Sequence, residues 1–166
     1  LGDVYKRQVI APARAPEPKD IEAARTYIKG LGFKPRIPDD LVAPHALCSN
    51  SDAYRAQHLQ DALLSKDSKA VWAIRGGYGC ARIIPSLKKI RAPRKAKLFL
   101  GFSDITSLHI YLHQKWRWAT LHAPVLMQAA HNQLAEGCRE NIEGILVGDI
   151  TKQVFKILSC TPDLEE

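Results

Sequence analysis

Short unbroken apolar runs alternate along this chain with longer stretches whose apolar positions recur every three or four residues. The first run, Val9-Ile10-Ala11, ends at Pro12 and predicts a buried strand opening into a loop. Asp20 then stands as the cap of a helix with Ile21, Ala24, Tyr27 and Ile28 at helical spacing, stopped by Gly30 and Gly32. Phe33–Ile37 reads as a second strand, weakened by Pro35. Residues 38–50, rich in Pro, Asp, Ser and Asn, read as loop. A helix from Ser51 to Ser65 follows, with Tyr54, Ala56, Leu59, Ala62 and Leu63 making most of its apolar face. Ala70–Ile74 is a compact buried strand, followed by a glycine-rich turn and a short helix to Leu87. Leu98-Phe99-Leu100 is another buried strand, leading through Gly101 into a helix over Asp104–His113. Ala119–His122 reads as a further strand. Residues 134–147 read as a last amphipathic helix, with Leu134, Cys138, Ile142 and Ile145 on one face.

Strands alternating with helices in this way predict an α/β fold, a mainly parallel sheet with helices on both faces. Sheets of that kind place ligands beyond the carboxyl ends of their strands. The length of 166 residues fits one ordinary domain, and 46% hydrophobic with 25% charged residues sets the chain apart from disordered sequences. Leu1–Gln8 fit no pattern that follows and are set aside as a non-native scar. No apolar run reaches the roughly 18 residues that span a bilayer, and no secretory-signal pattern is visible. Cys48, Cys80, Cys138 and Cys160 are scattered without a CxxC pair, which favours free thiols in a reducing cytosol over a zinc site or a disulfide framework. The net charge is +7, with a dense basic cluster at Lys88, Lys89, Arg91, Arg94, Lys95 and Lys97. That cluster has no interleaved aromatic residue and no nucleic-acid-binding signature, so it reads as a solvated loop.

Two motifs carry candidate chemistry, and both fall at predicted strand ends. In Arg75-Gly76-Gly77-Tyr78-Gly79, three glycines in four residues let the backbone come close to a ligand and point N–H groups at negative charge. A phosphate loop is the alternative, but neither GxxxxGK[ST] nor GxGxxG is present; a plain tight turn is the other. In Gly101-Phe102-Ser103-Asp104-Ile105-Thr106, a serine sits on a strand-to-helix turn, where a nucleophile elbow holds a hydroxyl out and the next N–H helps form an oxyanion hole. Ile105 stands where GxSxG would have its second glycine, and capping of the helix by Ser103 or Asp104 competes with catalysis. Together the motifs can supply a nucleophile and two converging N–H donors.

Ala73–Gly79, Arg82–Pro85, Gly101–His109 and His122-Ala123-Pro124 resemble the LD-carboxypeptidases, a serine peptidase family that includes the microcin-C immunity peptidases. The similarity also takes in Val9–Pro12 and Asp52–Ala56 with Leu59, and covers most of residues 9–150. The resemblance implies a flavodoxin- or Rossmann-like N-terminal domain over 9–150 and, over 151–166, the start of a linker to a C-terminal domain. It implies Ser103 as nucleophile and the backbone N–H groups of Asp104 and Gly77 as oxyanion hole. Arg75, Gly76 and Tyr78 would lie beside the substrate. It further implies a cytoplasmic enzyme that releases terminal D-alanine from murein tetrapeptide in cell-wall recycling, with no cofactor or metal, no nucleic-acid or membrane partner, and a homodimer at full length. No segment matches the family's triad Glu and His, so the chain alone is expected to be nearly inactive. His122 reads as structural and His109 as packing, while Cys80 has no histidine placed beside it. Three readings stay open beside the first: a microcin-C-type peptidyl-nucleotide hydrolase, a non-catalytic anion-binding module and, ranked last, nucleic-acid binding through residues 88–97.

Overall fold

The computed structural model describes residues 6–152. Five strands, β1 (Lys6–Ile10), β2 (Lys34–Arg36), β3 (Ser68–Ala73), β4 (Leu98–Gly101) and β5 (Leu121–His122), form one sheet in the order β2-β1-β3-β4-β5. Every neighbouring pair runs parallel. Six helices cover it: α1 (Pro18–Gly30), α2 (Asp52–Leu64), α3 (Cys80–Leu87), α4 (Thr106–Trp116), α5 (Leu126–Ala130) and α6 (Cys138–Val147).

Alternation along each strand divides the core into two layers. Ile10, Val71, Ala73 and Phe99 pack with Ala56, Leu59, Leu63, Ile83, Leu108 and Leu112 of α2, α3 and α4. Val9, Trp72 and Leu100 face the other way, onto Ala24, Ile28, Leu126 and Ile142 of α1, α5 and α6. Helices therefore lie on both faces, as the sequence pattern predicts. The order reverses between β1 and β3, and the loops after those two strands meet there. The Arg14 N–H donates to the Gly76 carbonyl at 3.2 Å. That switch point is the ligand crevice of a doubly wound sheet.

Several expectations are corrected. Lys6, Arg7 and Gln8 belong to β1 and pair with both of its neighbours. Arg7 is buried, with its guanidinium 3.7 Å from the centre of the Phe33 ring, so this polar stretch carries no apolar signal yet packs through its stem and charge. Leu1–Tyr5 and residues 153–166, with Cys160, lie outside the described residues. Asp20 is not the cap of α1: Glu17 is, and the Asp20 carboxylate reaches back to accept the Glu17 N–H at 2.8 Å. Tyr54 points out of α2, 53% exposed, and the fully buried position beside it belongs to Arg55. The last helix begins at Cys138, because Gly137 at φ 71° breaks the run from Leu134. α5 has no counterpart among the expected elements. Lys97, counted with the exposed basic cluster, is buried. It donates to the Ala62 carbonyl and the Ser68 hydroxyl, both at 2.7 Å, and burial pushes its ammonium down to about 8.

Candidate active site

β4 ends at Gly101, and the chain turns through a single 3₁₀ turn, Ser103–Ile105, into α4. The turn is sharp. Gly101 has φ 155°, and a side chain there would come within 2.8 Å of Ile105 Cγ2. Ser103 has φ 63°, a left-handed conformation that costs a residue with a Cβ about 1–3 kcal/mol. Its side chain is exposed, and no hydrogen bond within the described residues engages its hydroxyl. Ser103 therefore does not cap the helix. Strain of this kind holds a side chain out over the end of a strand.

The glycine turn after β3 lies directly against this serine. A Cβ added to Gly76 would sit 3.1 Å from Ser103 Cβ and 3.4 Å from its Oγ, so a side chain there would push on the serine by a few tenths of an ångström. Gly77 has φ 128°, and a side chain there would meet Arg14 Cβ at 2.6 Å. With the Gly76 carbonyl turned to Arg14, the trans peptide points the Gly77 N–H in the opposite direction, away from Arg14. Neither that N–H nor the Asp104 N–H has an acceptor among the described residues. Two amide donors without acceptors thus lie in the loops that carry, and pack against, an uncapped serine.

Side chains lock the two loops together. The Asp104 carboxylate accepts the Cys80 N–H at 2.8 Å and so satisfies the first turn of α3, the helix that opens from the glycine turn. Asp104 thus caps α3 and leaves its own helix uncapped. Burial and this neighbouring carboxylate drive the Cys80 thiol far above its usual range, which removes it as a nucleophile. From below, the Arg55 guanidinium donates to the Gly79 carbonyl at 3.1 Å, to the Pro12 carbonyl, and through Nε to the Asn50 carbonyl at 3.2 Å. Asp52 pairs with Arg55 at 2.5 Å and with Arg82 at 2.9 Å. These bonds, Arg82 first, hold the Asp52 carboxyl below its ordinary value against a smaller desolvation effect.

Arg75 is half-buried and donates from Nη1 to the Ala15 carbonyl at 3.2 Å. Tyr78 is exposed beside the turn. His109 is buried; its Nε2 meets the Gly101 carbonyl at 2.9 Å, which can only accept, so that nitrogen carries the proton. Desolvation lowers its pKa, and the ring packs edge-on against Phe99 behind the elbow. His122 is exposed at the end of β5, edge-on to Phe102. No histidine hydrogen-bonds to Ser103 among the described residues, none of which form a cluster suited to a metal. A pair the sequence reading did not weigh is Asp20 with His131, Nε2 to Oδ1 at 2.8 Å.

Residues 8–123 match the model of the LD-carboxypeptidase N-terminal domain. The chain belongs to the LD-carboxypeptidase family. A Rickettsia prowazekii protein bearing a carboxypeptidase name is 43% identical over 148 residues, 88% of this chain and 45% of the relative. The murein tetrapeptide carboxypeptidase of Pseudomonas aeruginosa is 31% identical over 119 residues, 70% of this chain and 38% of the relative. Among solved structures, the muramoyltetrapeptide carboxypeptidase of Oxalobacter formigenes superimposes with TM-score 0.72 at 22% identity, over 84% of this chain and 47% of that one. An MccF-like protein of Bacillus anthracis gives 0.74 at 22% identity, over 88% and 45%. At those identities the structural likeness establishes the fold. The LD-carboxypeptidase chain described here spans less than half the length of the curated relatives it matches first.

Proposed function

We propose that this chain is the nucleophile-bearing domain of a serine LD-carboxypeptidase that removes the terminal D-amino acid from murein tetrapeptide, in the cytoplasm, during cell-wall recycling. Ser103 Oγ attacks the carbonyl of the L–D amide bond. A histidine takes the hydroxyl proton and later passes it to the leaving amine, leaving an acyl-enzyme that water hydrolyses. Negative charge on the tetrahedral oxygen rests on the N–H groups of Asp104 and Gly77. The base and the carboxylate that orients it are assigned to the part of the protein corresponding to the unmatched half of the relatives. Arg75, Gly76 and Tyr78 are assigned to the substrate.

The observation that carries this reading is the strained, uncapped Ser103 packed against Gly76, with two amide donors lacking acceptors beside it. A non-catalytic anion-binding turn would need the glycines but not a serine at φ 63°. The test is D-alanine release from murein tetrapeptide by the full-length protein. Ser103→Ala is expected to lower the rate by about a thousandfold or more. Release that survives the substitution would remove Ser103 from the reaction.

A further inference from the structure

Beside the glycine turn lies a cavity of about 430 Å³ lined by Glu17, Lys19, Asp20, Arg75 and His131 among others. Its charges are unevenly matched. Glu17 is taken by Lys19 at 2.8 Å, and the Asp20 carboxylate, 4% exposed, is taken by His131 Nε2 and the Glu17 N–H. Burial opposes ionisation of Asp20, yet the Glu17 N–H and His131 together keep its carboxyl below the usual range, so it stays charged and fixes the ring. Arg75 is left with a carbonyl, Ala15, and no carboxylate among the described residues. His131 Nδ1 also has no partner there. α5, which ends at His131, is tied to the end of β3 by the Met127 N–H donating to the Ile74 carbonyl at 3.1 Å. The ring is therefore held by both the buried carboxylate and the sheet.

We propose that Arg75 and His131 form a receptor for the free α-carboxylate of the substrate's last residue, with Asp20 as the residue that positions His131. This rests on the reading of Ser103 as nucleophile. A carboxypeptidase differs from an endopeptidase in requiring a carboxylate one residue beyond the scissile carbonyl. Arg75 is one Cα step, about 3.8 Å, from the glycine that touches Ser103. A guanidinium there offers two parallel N–H donors to a carboxylate, and His131 lines the same cavity, where its protonated ring, with Nε2–H held by Asp20, offers Nδ1–H as a further donor. The receptor selects peptides that end at that residue and rejects those that continue.

The experiment is a calorimetric titration of the full-length Ser103→Ala protein with murein tetrapeptide and with its C-terminal carboxamide. The acid is expected to bind at least tenfold more tightly than the amide. Arg75→Gln is expected to bring the two affinities together, and Arg75→Lys to keep part of the difference. His131→Gln is expected to weaken the acid several-fold and leave the amide unchanged. Equal binding of acid and amide by the protein with Arg75 intact overturns the proposal, whether or not the Arg75 variants fold. D-alanine release that depends on Ser103 alongside equal binding would sink only the receptor; discrimination without any release would sink only the peptidase reading.

Discussion

At Ser103 the backbone adopts a left-handed φ of 63° that no local preference of serine demands. The surrounding residues impose it. Gly101 lets Ile105 close over the strand end, Asp104 is pulled away to cap α3, and Gly76, without a Cβ, lets the serine pack against the glycine turn. The glycine requirement is sharpest at Gly77, where positive φ and the 2.6 Å approach to Arg14 coincide. Gly77→Ala is expected to displace the turn and lower kcat for D-alanine release about a hundredfold, the scale of losing one oxyanion donor. KM should change far less. Gly30→Ala, with open space and no positive φ, serves as control, and equal kcat for both variants would remove Gly77 from the oxyanion hole. These residues were legible in the sequence because each requirement is local: a Gly-rich turn and a serine after a short apolar run announce their own backbone geometry.

Among the elements, α2 does more than cover the sheet. Through buried Arg55 it ties together the loop after β1 at Pro12, the loop before α2 at Asn50 and the glycine turn at Gly79. A side chain at Gly79 would come within 2.9 Å of that guanidinium, so turn and arginine fit each other closely. Arg55→Met leaves three carbonyls without their donor, and is expected to cost on the order of 3 kcal/mol of stability and to speed hydrogen exchange across residues 76–80. Unchanged exchange there would show that the turn holds itself. Helical spacing placed Tyr54 on the apolar face and passed over Arg55, because a buried arginine that fastens loops has no hydrophobic signature. The same holds for α5, five residues long, and for the Asp20–His131 pair, which joins positions 111 apart. Their meeting is a product of the crossovers, and no window along the chain contains both.

For the whole molecule, the alternation of runs and helical spacings was enough to expect a parallel sheet with both faces covered. The strand order follows from where the apolar layers close, which the sequence does not display. With all five strands parallel, the loops after β1, β3 and β4 gather at one end, and they carry Arg14, Arg75–Gly79 and Ser103. Lys88, Lys89, Arg91, Arg94 and Lys95, all exposed, precede β4 and so lie at the other end, away from Ser103 and the glycine turn. No helix among the described residues is long and apolar enough to cross a membrane. The most direct measurement is to mix the full-length protein with murein tetrapeptide, quench in acid within a turnover, and locate any acyl adduct by mass spectrometry of the tryptic peptide spanning residues 98–115. The adduct is expected on Ser103 and absent from Ser103→Ala. An adduct on Thr106 or Ser107, or D-alanine release with position 103 unmodified and replaced by alanine, would contradict the account.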